Sequence, residues 1–176
     1  MGHITTFSGE NFTPLTPSTD HIKLEDIAHA LSLICRANGH LIKFFSVAQH
    51  SINCCYEAQA RGLSAKIQLA CLLHDASQAY ISNIPRPVKK KLPKLIEAEA
   101  HIQELIYNKF FTNSVCAEER TVVKQIDDDM TIYEFMQLMK KKTNVVSPTL
   151  FSNPSFEFTC FSDIETEFSK LAISLK

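Results

Sequence analysis

Apolar residues recur every three or four positions along most of this chain, and this spacing constrains the fold more than any other feature. Leu24, Ile27, Leu31 and Ile34, for example, would share one face of an α-helix. The same spacing recurs in segments that begin near residues 46, 64, 95, 122 and 164. Few stretches show the two-residue alternation of a β-strand. The pattern predicts an all-α, single-domain helical bundle of about six helices, the first of which would end near Asn38-Gly39.

Residues that break regular structure predict how the chain is organised around this bundle. Residues 1–20 show no sustained period and are expected to form an irregular arm. Residues 21–142 are predicted to form the helical domain, interrupted by a loop at 84–87, where two prolines disfavour a helix. Residues 143–176 are predicted to form a loop-rich segment and a terminal helix that packs on the same domain.

Length and composition set limits on the function. The chain has 176 residues, of which 45% are hydrophobic and 21% charged, as in an ordinary soluble domain. The formal charge of −1 offers no general attraction for nucleic acid or an anionic membrane. No apolar run approaches the roughly 20 residues that cross a bilayer, and the N-terminus lacks a signal-peptide pattern. We therefore expect a cytoplasmic protein that binds neither nucleic acid nor membrane.

The six cysteines are too few and too scattered for a disulfide scaffold, and none form a C-x-x-C pair. We expect most of them to be reduced and structural, because a thiol in an apolar stretch behaves as a small hydrophobic group. Four lie in such stretches: Cys35, Cys54, Cys55 and Cys71.

The third helix is predicted to run from Ser64 to about Tyr80, and its most apolar run, Leu69–Leu73, is followed directly by His74 and Asp75. An imidazole and a carboxylate in this position need a compensating partner. A metal ion is one such partner. Local hydrogen bonds at a helix end are the alternative.

Two other helices supply candidate ligands for the same metal site. The second helix carries His50 near its buried face. On the fifth, Asp127 and Asp129 flank the apolar stripe and Asp128 points nearly opposite, although all three also fit a solvated acidic face. Two imidazoles and two carboxylates would suit one divalent transition metal ion (Mn, Co, Fe, Ni or Zn) better than Ca.

Four separated segments occur in an order that carries a family resemblance. They read QHS at 49–51, HDAS at 74–77, IPRPVK at 84–89 and VKQID at 123–127. Together they resemble the HD-domain metal-dependent phosphohydrolase superfamily, most closely its bacterial 5'-deoxynucleotidases and phage-associated hydrolases. The likeness covers roughly residues 10–140. The family's fold is an all-α bundle, in agreement with the helical periodicity.

The resemblance implies roles for particular residues. His50, His74, Asp75 and Asp127 would be the metal ligands, and the reaction would be hydrolysis of (deoxy)nucleoside 5'-monophosphates. An arginine before the first histidine binds the phosphate in the family, and Arg36 lies nearest that position, where its planar fork of donors would suit a phosphate. A surface arginine at a helix C-terminus is the alternative. The resemblance also implies a possible homodimer, because related deoxynucleotidases are often dimers.

The sequence departs from the family pattern at two positions. The related enzymes have an acid after the His-Asp pair, which orients or deprotonates the attacking water, and a second acid a few residues later. Here these positions are Gln78 and Asn83. A carboxamide can hold a water but cannot take its proton at neutral pH. The catalytic positions would be Gln78, Asn83 and Asp75, with reduced turnover. The alternative is a metal- and nucleotide-binding protein with weak or no catalysis.

A cluster of basic residues follows the proline loop. It would form either a solvated helix start or an electrostatic funnel for a phosphorylated substrate. Its members are Arg86, Lys89, Lys90, Lys91 and Lys94.

Overall fold

The computed structural model describes residues 2–141 and 145–176 and confirms the all-α fold. Six helices in this part of the chain have nine residues or more, and a two-stranded antiparallel hairpin precedes them. The elements are β1 (Ile4–Thr5), β2 (Asn11–Phe12), α1 (Leu24–Leu33), α2 (Val47–Ala60), α3 (Ala65–Leu73), α4 (Gln78–Ile81), α5 (Arg86–Lys89), α6 (Pro93–Phe110), α7 (Ala117–Leu138) and α8 (Phe161–Ser174). Two short 3-10 helices lie at Thr19–His21 and Arg36–Gly39.

Helices α2 and α3 form the centre of the bundle. Helix α2 packs against α1, α3, α7 and α8, and α3 also contacts α6 and α7. The apolar run Leu69–Leu73 of α3 is almost entirely removed from solvent, as its sequence predicts for a central helix. Ser46 and Gln49 cap the start of α2 reciprocally, and Gly62 follows its end with a φ of 70°. These signals hold His50 in the first turns of α2, where it is buried.

The predicted end of the first helix near Asn38-Gly39 is wrong, because α1 stops at Leu33. Beyond it the backbone extends and pairs with the segment before α2: Arg36 N–H donates to the Phe45 carbonyl and Val47 N–H to the Ile34 carbonyl. Arg36 is thus the buried first residue of a 3-10 turn and does not lie at the end of an exposed helix. Its alternative role as a surface arginine beside a helix terminus is excluded.

The third helix is also shorter than predicted, since it ends at Leu73 and not near Tyr80. The backbone then tightens: Ala76 N–H donates to the Leu73 carbonyl and Gln78 N–H to the Asp75 carbonyl, across three residues each. This turn changes the directions in which the side chains of residues 74–78 project. The chain resumes a helical turn in α4.

The predicted loop at residues 84–87 is partly wrong, because α5 begins at Arg86. Pro87 occupies the first turn of this helix, where no backbone N–H is needed for an internal hydrogen bond. Residues 82–85 are non-helical and connect α4 to α5.

The two ends of the chain both pack on the bundle. In the arm, Phe12 is completely buried, and the backbone and hydroxyl of Ser8 donate to the buried carboxylate of Asp26. Helix α8 contacts α1, α2 and α3. The predicted domain boundary between residues 142 and 143 lies outside the described residues. Within residues 2–141 and 145–176, no helix combines the length and the apolar character that a membrane span requires.

Candidate metal centre

The four side chains predicted as metal ligands meet at one point. His50 comes from α2, His74 and Asp75 follow α3, and Asp127 comes from α7. Oδ1 of Asp127 lies 3.2 Å from Nε2 of His50 and 3.6 Å from Nε2 of His74. Oδ2 of Asp75 lies 3.6 Å from Nε2 of His74. Donor atoms that share one transition metal ion at the usual bond lengths lie roughly 3.0 to 3.4 Å apart. The observed spacing is close to this range.

Both imidazoles present the same nitrogen to this point. Nδ1 of His50 lies 2.9 Å from Oε2 of Glu134, and Nδ1 of His74 lies 2.7 Å from the carbonyl oxygen of Cys71. An acceptor at Nδ1 keeps the proton there and leaves Nε2 as the ligating atom. Nε2 of His74 is buried and has no hydrogen-bond partner within the described part of the chain. The residues present therefore fit a metal ion.

The two carboxylates that face His50 are held in the ionised form. Burial would raise the pKa of Asp127, but the hydrogen bond with His50 and the charges of His50 and His74 outweigh burial and lower it well below its usual value. Burial opposes ionisation of Glu134 as well, but its pKa is lowered by the positive charge of Arg36 and by contact with His50. An ionised Glu134 only accepts hydrogen bonds, so Nδ1 of His50 is the donor between them.

The carboxylates around His74 raise the pKa of its imidazole. Burial alone would lower its pKa, but the negative charges of Asp75 and Asp127 raise it to about 9. The carboxylates thus favour a positive charge at Nε2 of His74. A divalent ion satisfies the same preference and competes with the proton.

Glu134 is a component of the centre that the sequence reasoning missed. It lies at the seventh position after Asp127 on α7, and Thr131 lies at the fourth, so the three share one helix face. That spacing was visible in the sequence. A completely buried glutamate is rare unless it is paired, and Glu134 contacts both Arg36 and His50.

Arg36 contacts two acidic residues of the centre, Glu134 and Asp75. Its Nε donates to Oε1 of Glu134 at 3.0 Å, and its Nη2 donates to the Thr131 hydroxyl at 3.1 Å. Nη1 lies 3.5 Å from Oδ2 of Asp75. Burial opposes the charge, but Glu134 and Asp75 together raise the pKa of Arg36. Arg36 therefore lines the site, with most of its donors already directed at protein groups.

Cys54 adds a thiol one helical turn after His50. Its Sγ lies 3.5 Å from Nε2 of His50, and ligand atoms of His50, Cys54 and His74 all fall within 4.8 Å of one another, an arrangement that can hold a metal ion. Burial, with the charge of Asp127 as a second cause, raises the pKa of Cys54 far above its usual value. Because only the thiolate ligates well, the carboxylates are the better ligands.

The three consecutive aspartates of α7 have different partners. Asp127 is the one whose carboxylate reaches the two histidines. Asp128 pairs with Arg86 and Lys124 on the outer side, and Asp129 accepts a hydrogen bond from Arg61. Packing thus separates Asp127 from Asp129, which periodicity alone had left equivalent.

A cavity of about 690 Å³ opens directly above the centre. Asp75 and Asp127 lie in its floor, and Gln78 and Asn83 line it as well. Oε1 of Gln78 is buried and has no hydrogen-bond partner among the described residues. The other residues that line the cavity are Arg36, Ala37, His40, Ile84, Pro85, Arg86, Pro87, Lys89, Lys124, Thr131, Phe135 and Met139. An unpaired buried carboxamide oxygen at the edge of such a space is positioned to accept a hydrogen bond from a ligand or a water.

The chain is similar to two curated proteins whose names state no activity. It is 39% identical over 110 residues to Uncharacterized protein YfdR of Escherichia coli (strain K12), across 62% of this chain and 59% of that protein. It is 33% identical over 109 residues to Uncharacterized protein RCAP_rcc00048 of Rhodobacter capsulatus, across 58% of this chain and 55% of that protein. The matched segments thus span little more than half of each relative. No family model matches the chain.

Proposed function

We propose that this protein is a divalent-metal-dependent phosphohydrolase of the HD-domain type that removes phosphate from (deoxy)nucleoside 5'-monophosphates. One observation carries the proposal. The imidazoles of His50 and His74, each with Nδ1 bound to an acceptor, direct Nε2 toward the same carboxylate of Asp127, with Asp75 beside His74, next to a cavity large enough for a small ligand.

His50, His74, Asp75 and Asp127 would hold the ion. This mixed nitrogen and oxygen set suits one Mn, Co, Fe, Ni or Zn ion. When bound, such an ion supplies an activated water and polarises phosphoryl oxygens.

The remaining residues of the centre position these ligands. Glu134 holds the ring of His50 through Nδ1, and the Cys71 carbonyl does the same for His74. Arg36 lies between Glu134 and Asp75 and offsets their negative charge. A buried guanidinium so close to the floor also favours negative charge on a ligand above it.

The cavity offers different surfaces to the two ends of a nucleotide. Cationic side chains of Arg86, Lys89 and Lys124 line the cavity and would attract a phosphate. Phe135 and Met139 supply an apolar surface suited to the face of a base or to a sugar. A cyclic or polyphosphorylated nucleotide is the other substrate class that this combination suits.

Gln78 supports a second candidate function. Its carboxamide occupies the position from which an acid would take a proton from the attacking water, and a carboxamide has no basic form. Loss of a general base typically lowers a rate by about 10²- to 10⁴-fold. A metal- and nucleotide-binding protein with weak or no catalysis is therefore the alternative, and Asn83, also a carboxamide, favours it in the same way.

The direct test is phosphate release from a panel of ribo- and deoxynucleoside 5'-monophosphates, with protein reconstituted separately with Mn²⁺, Co²⁺ and Mg²⁺. His74→Ala should abolish release and metal binding together. His101→Ala, which removes an exposed imidazole on α6, should change neither. If wild-type protein holds its metal and releases no phosphate from any of these nucleotides, the hydrolase proposal is wrong and the binding function is favoured.

A further inference from the structure

Arg86 stands at the mouth of the cavity and contacts the outer side of the metal centre. Its Nη2 donates to Oδ2 of Asp127 at 3.0 Å, and its Nη1 donates to Oδ1 of Asp128 at 2.8 Å. Asp127 therefore faces two ways. Its Oδ1 lies against the histidines, and its Oδ2 lies against Arg86.

The two arginines of the cavity differ in how readily they can change partners. The side chain of Arg36 is 9% exposed and is paired with Glu134, which is completely buried. Breaking a buried pair of this kind is strongly unfavourable, because it leaves an uncompensated charge in the interior. The side chain of Arg86 is 58% exposed, and exposed ion pairs contribute little to stability. An incoming anion can therefore recruit Arg86 far more easily than Arg36.

The residues of the basic cluster predicted from the sequence differ in whether they line the cavity. Arg86 and Lys89 line the cavity, whereas Lys90, Lys91 and Lys94 are exposed and none of them belongs to its lining in the described chain. Lys89 is bound to Glu99 at 2.6 Å. Lys124 lines the cavity too and pairs with Asp127 and Asp128. Arg86 is the one of these cations with a planar fork that can bond two oxygens at once.

We propose that Arg86 is the residue that receives the anionic group of the ligand, a phosphate, by exchanging its bonds to Asp128 and Asp127 for two bonds to phosphate oxygens. The inference rests on the proposed function only in placing a phosphate in this cavity. Arg86 also lies beside both carboxylates, so it screens their negative charge from the anion. Without the guanidinium, Lys124 would be the remaining cation paired with Asp127 and Asp128 among the described residues, and their repulsion of the phosphate would increase.

The test is calorimetric titration of inorganic phosphate into the Mn²⁺-loaded full chain at fixed ionic strength. Arg86→Ala should weaken phosphate binding about 10- to 100-fold, the loss expected for hydrogen bonds between charged groups. Arg86→Lys should give an intermediate affinity, because it keeps the charge and loses the fork. Lys90→Ala, a matched removal of a neighbouring cation outside the cavity, should stay within about twofold of wild type. A separate Mn²⁺ titration should show that each variant still binds the metal.

Three results would overturn the inference: Arg86→Ala binds phosphate as wild type does, Lys90→Ala loses as much affinity as Arg86→Ala, or metal-loaded wild type binds no phosphate. The hydrolase proposal is tested independently by phosphate release. If the protein hydrolyses a nucleotide but binds phosphate equally well without Arg86, this inference is wrong and the hydrolase proposal stands. Phosphate binding that depends on Arg86, without hydrolysis of any nucleotide, supports the inference and removes the hydrolase proposal.

Discussion

Nδ1 of His50 lies 2.9 Å from Oε2 of Glu134, and neither side chain is exposed to solvent. The two residues are 84 positions apart, on α2 and α7. Glu134 also binds Arg36, so one buried carboxylate holds both the ring of a candidate ligand and the guanidinium beneath the site. Such contacts commonly set the orientation and basicity of a metal-binding histidine.

Glu134→Gln should weaken both the fold and the metal site. The change removes the charge that compensates buried Arg36, so the free energy of unfolding should fall by about 3 kcal/mol. Metal affinity should fall about 10- to 100-fold, because His50 loses a charged acceptor. Urea unfolding and Mn²⁺ titration measure the two effects. Glu97→Gln, at an exposed position of α6, is the control and should change neither. A Glu134 variant with wild-type metal affinity would contradict the positioning role.

Mn²⁺ should stabilise the folded protein through Asp127 and not through its neighbour Asp129. At a free Mn²⁺ concentration 100 times the dissociation constant, the free energy of unfolding should rise by about 2.7 kcal/mol, and chelation should reverse the rise. Asp127→Asn should remove most of this gain. Asp129→Asn loses only contacts outside the centre, with Arg61 and Gln125, and should retain it. Equal gains in the two variants would show that the ion binds elsewhere.

Gln78→Glu should raise the rate of phosphate release. The new carboxylate would stand at the buried edge of the cavity, where it can accept the proton that the carboxamide cannot, and general-base assistance is worth about 10²- to 10⁴-fold. The measurement is kcat for the best nucleotide with metal-loaded protein. Gln59→Glu, on the exposed side of α2, introduces the same charge far from the site and should have no effect. An unchanged or lower rate in the folded, metal-loaded Gln78 variant would argue against this role.

Glu57 should make the fold sensitive to acid. Burial would raise its pKa, but hydrogen bonds from Ser152, Arg61 and the backbone of Phe151 outweigh burial and lower the pKa below 4.5. Its contribution to stability is therefore complete above pH 4.5 and is lost as the pH falls toward the lower pKa of the folded state.

The variant Glu57→Gln tests this dependence. Without the carboxylate, the free energy of unfolding at pH 7 should be about 1.5 to 3 kcal/mol lower, the usual worth of hydrogen bonds to a charged group. The difference from wild type should shrink as the pH falls below 4.5. Urea unfolding at pH 7, 5 and 4 measures it, and a difference that stays constant across this range would exclude Glu57 as the titrating group.

The metal centre illustrates what could be predicted without the structure. His74 and Asp75 stood out because polar groups directly after a run as apolar as Leu69–Leu73 require a partner. Arg86 and Glu134 did not stand out. Arg86 was one basic residue among five, and its carboxylate partners are about 40 positions away. Glu134 shares a helix face with Asp127, but helical spacing does not reveal which residue lies opposite that face.

Some helix boundaries could likewise be predicted from the sequence and others could not. Capping by Ser46 and Gln49 is local, so the start of α2 follows from the sequence. The early ends of α1 and α3 do not follow from the local sequence. Residues after Leu33 extend because they pair with the segment before α2, and residues after Leu73 tighten into a turn in which His74 binds the Cys71 carbonyl.

The sequence by itself therefore determined the helical class, the approximate number of helices and the residue types available for chemistry, because helical periodicity and capping depend on neighbours within a few positions. The tertiary structure decided which aspartate of three meets the histidines, which arginine is buried and which exposed, and that Glu134 supports His50. These outcomes depend on the packing of segments that are distant in the chain, and the pairing of buried charges is decided only when that packing excludes water.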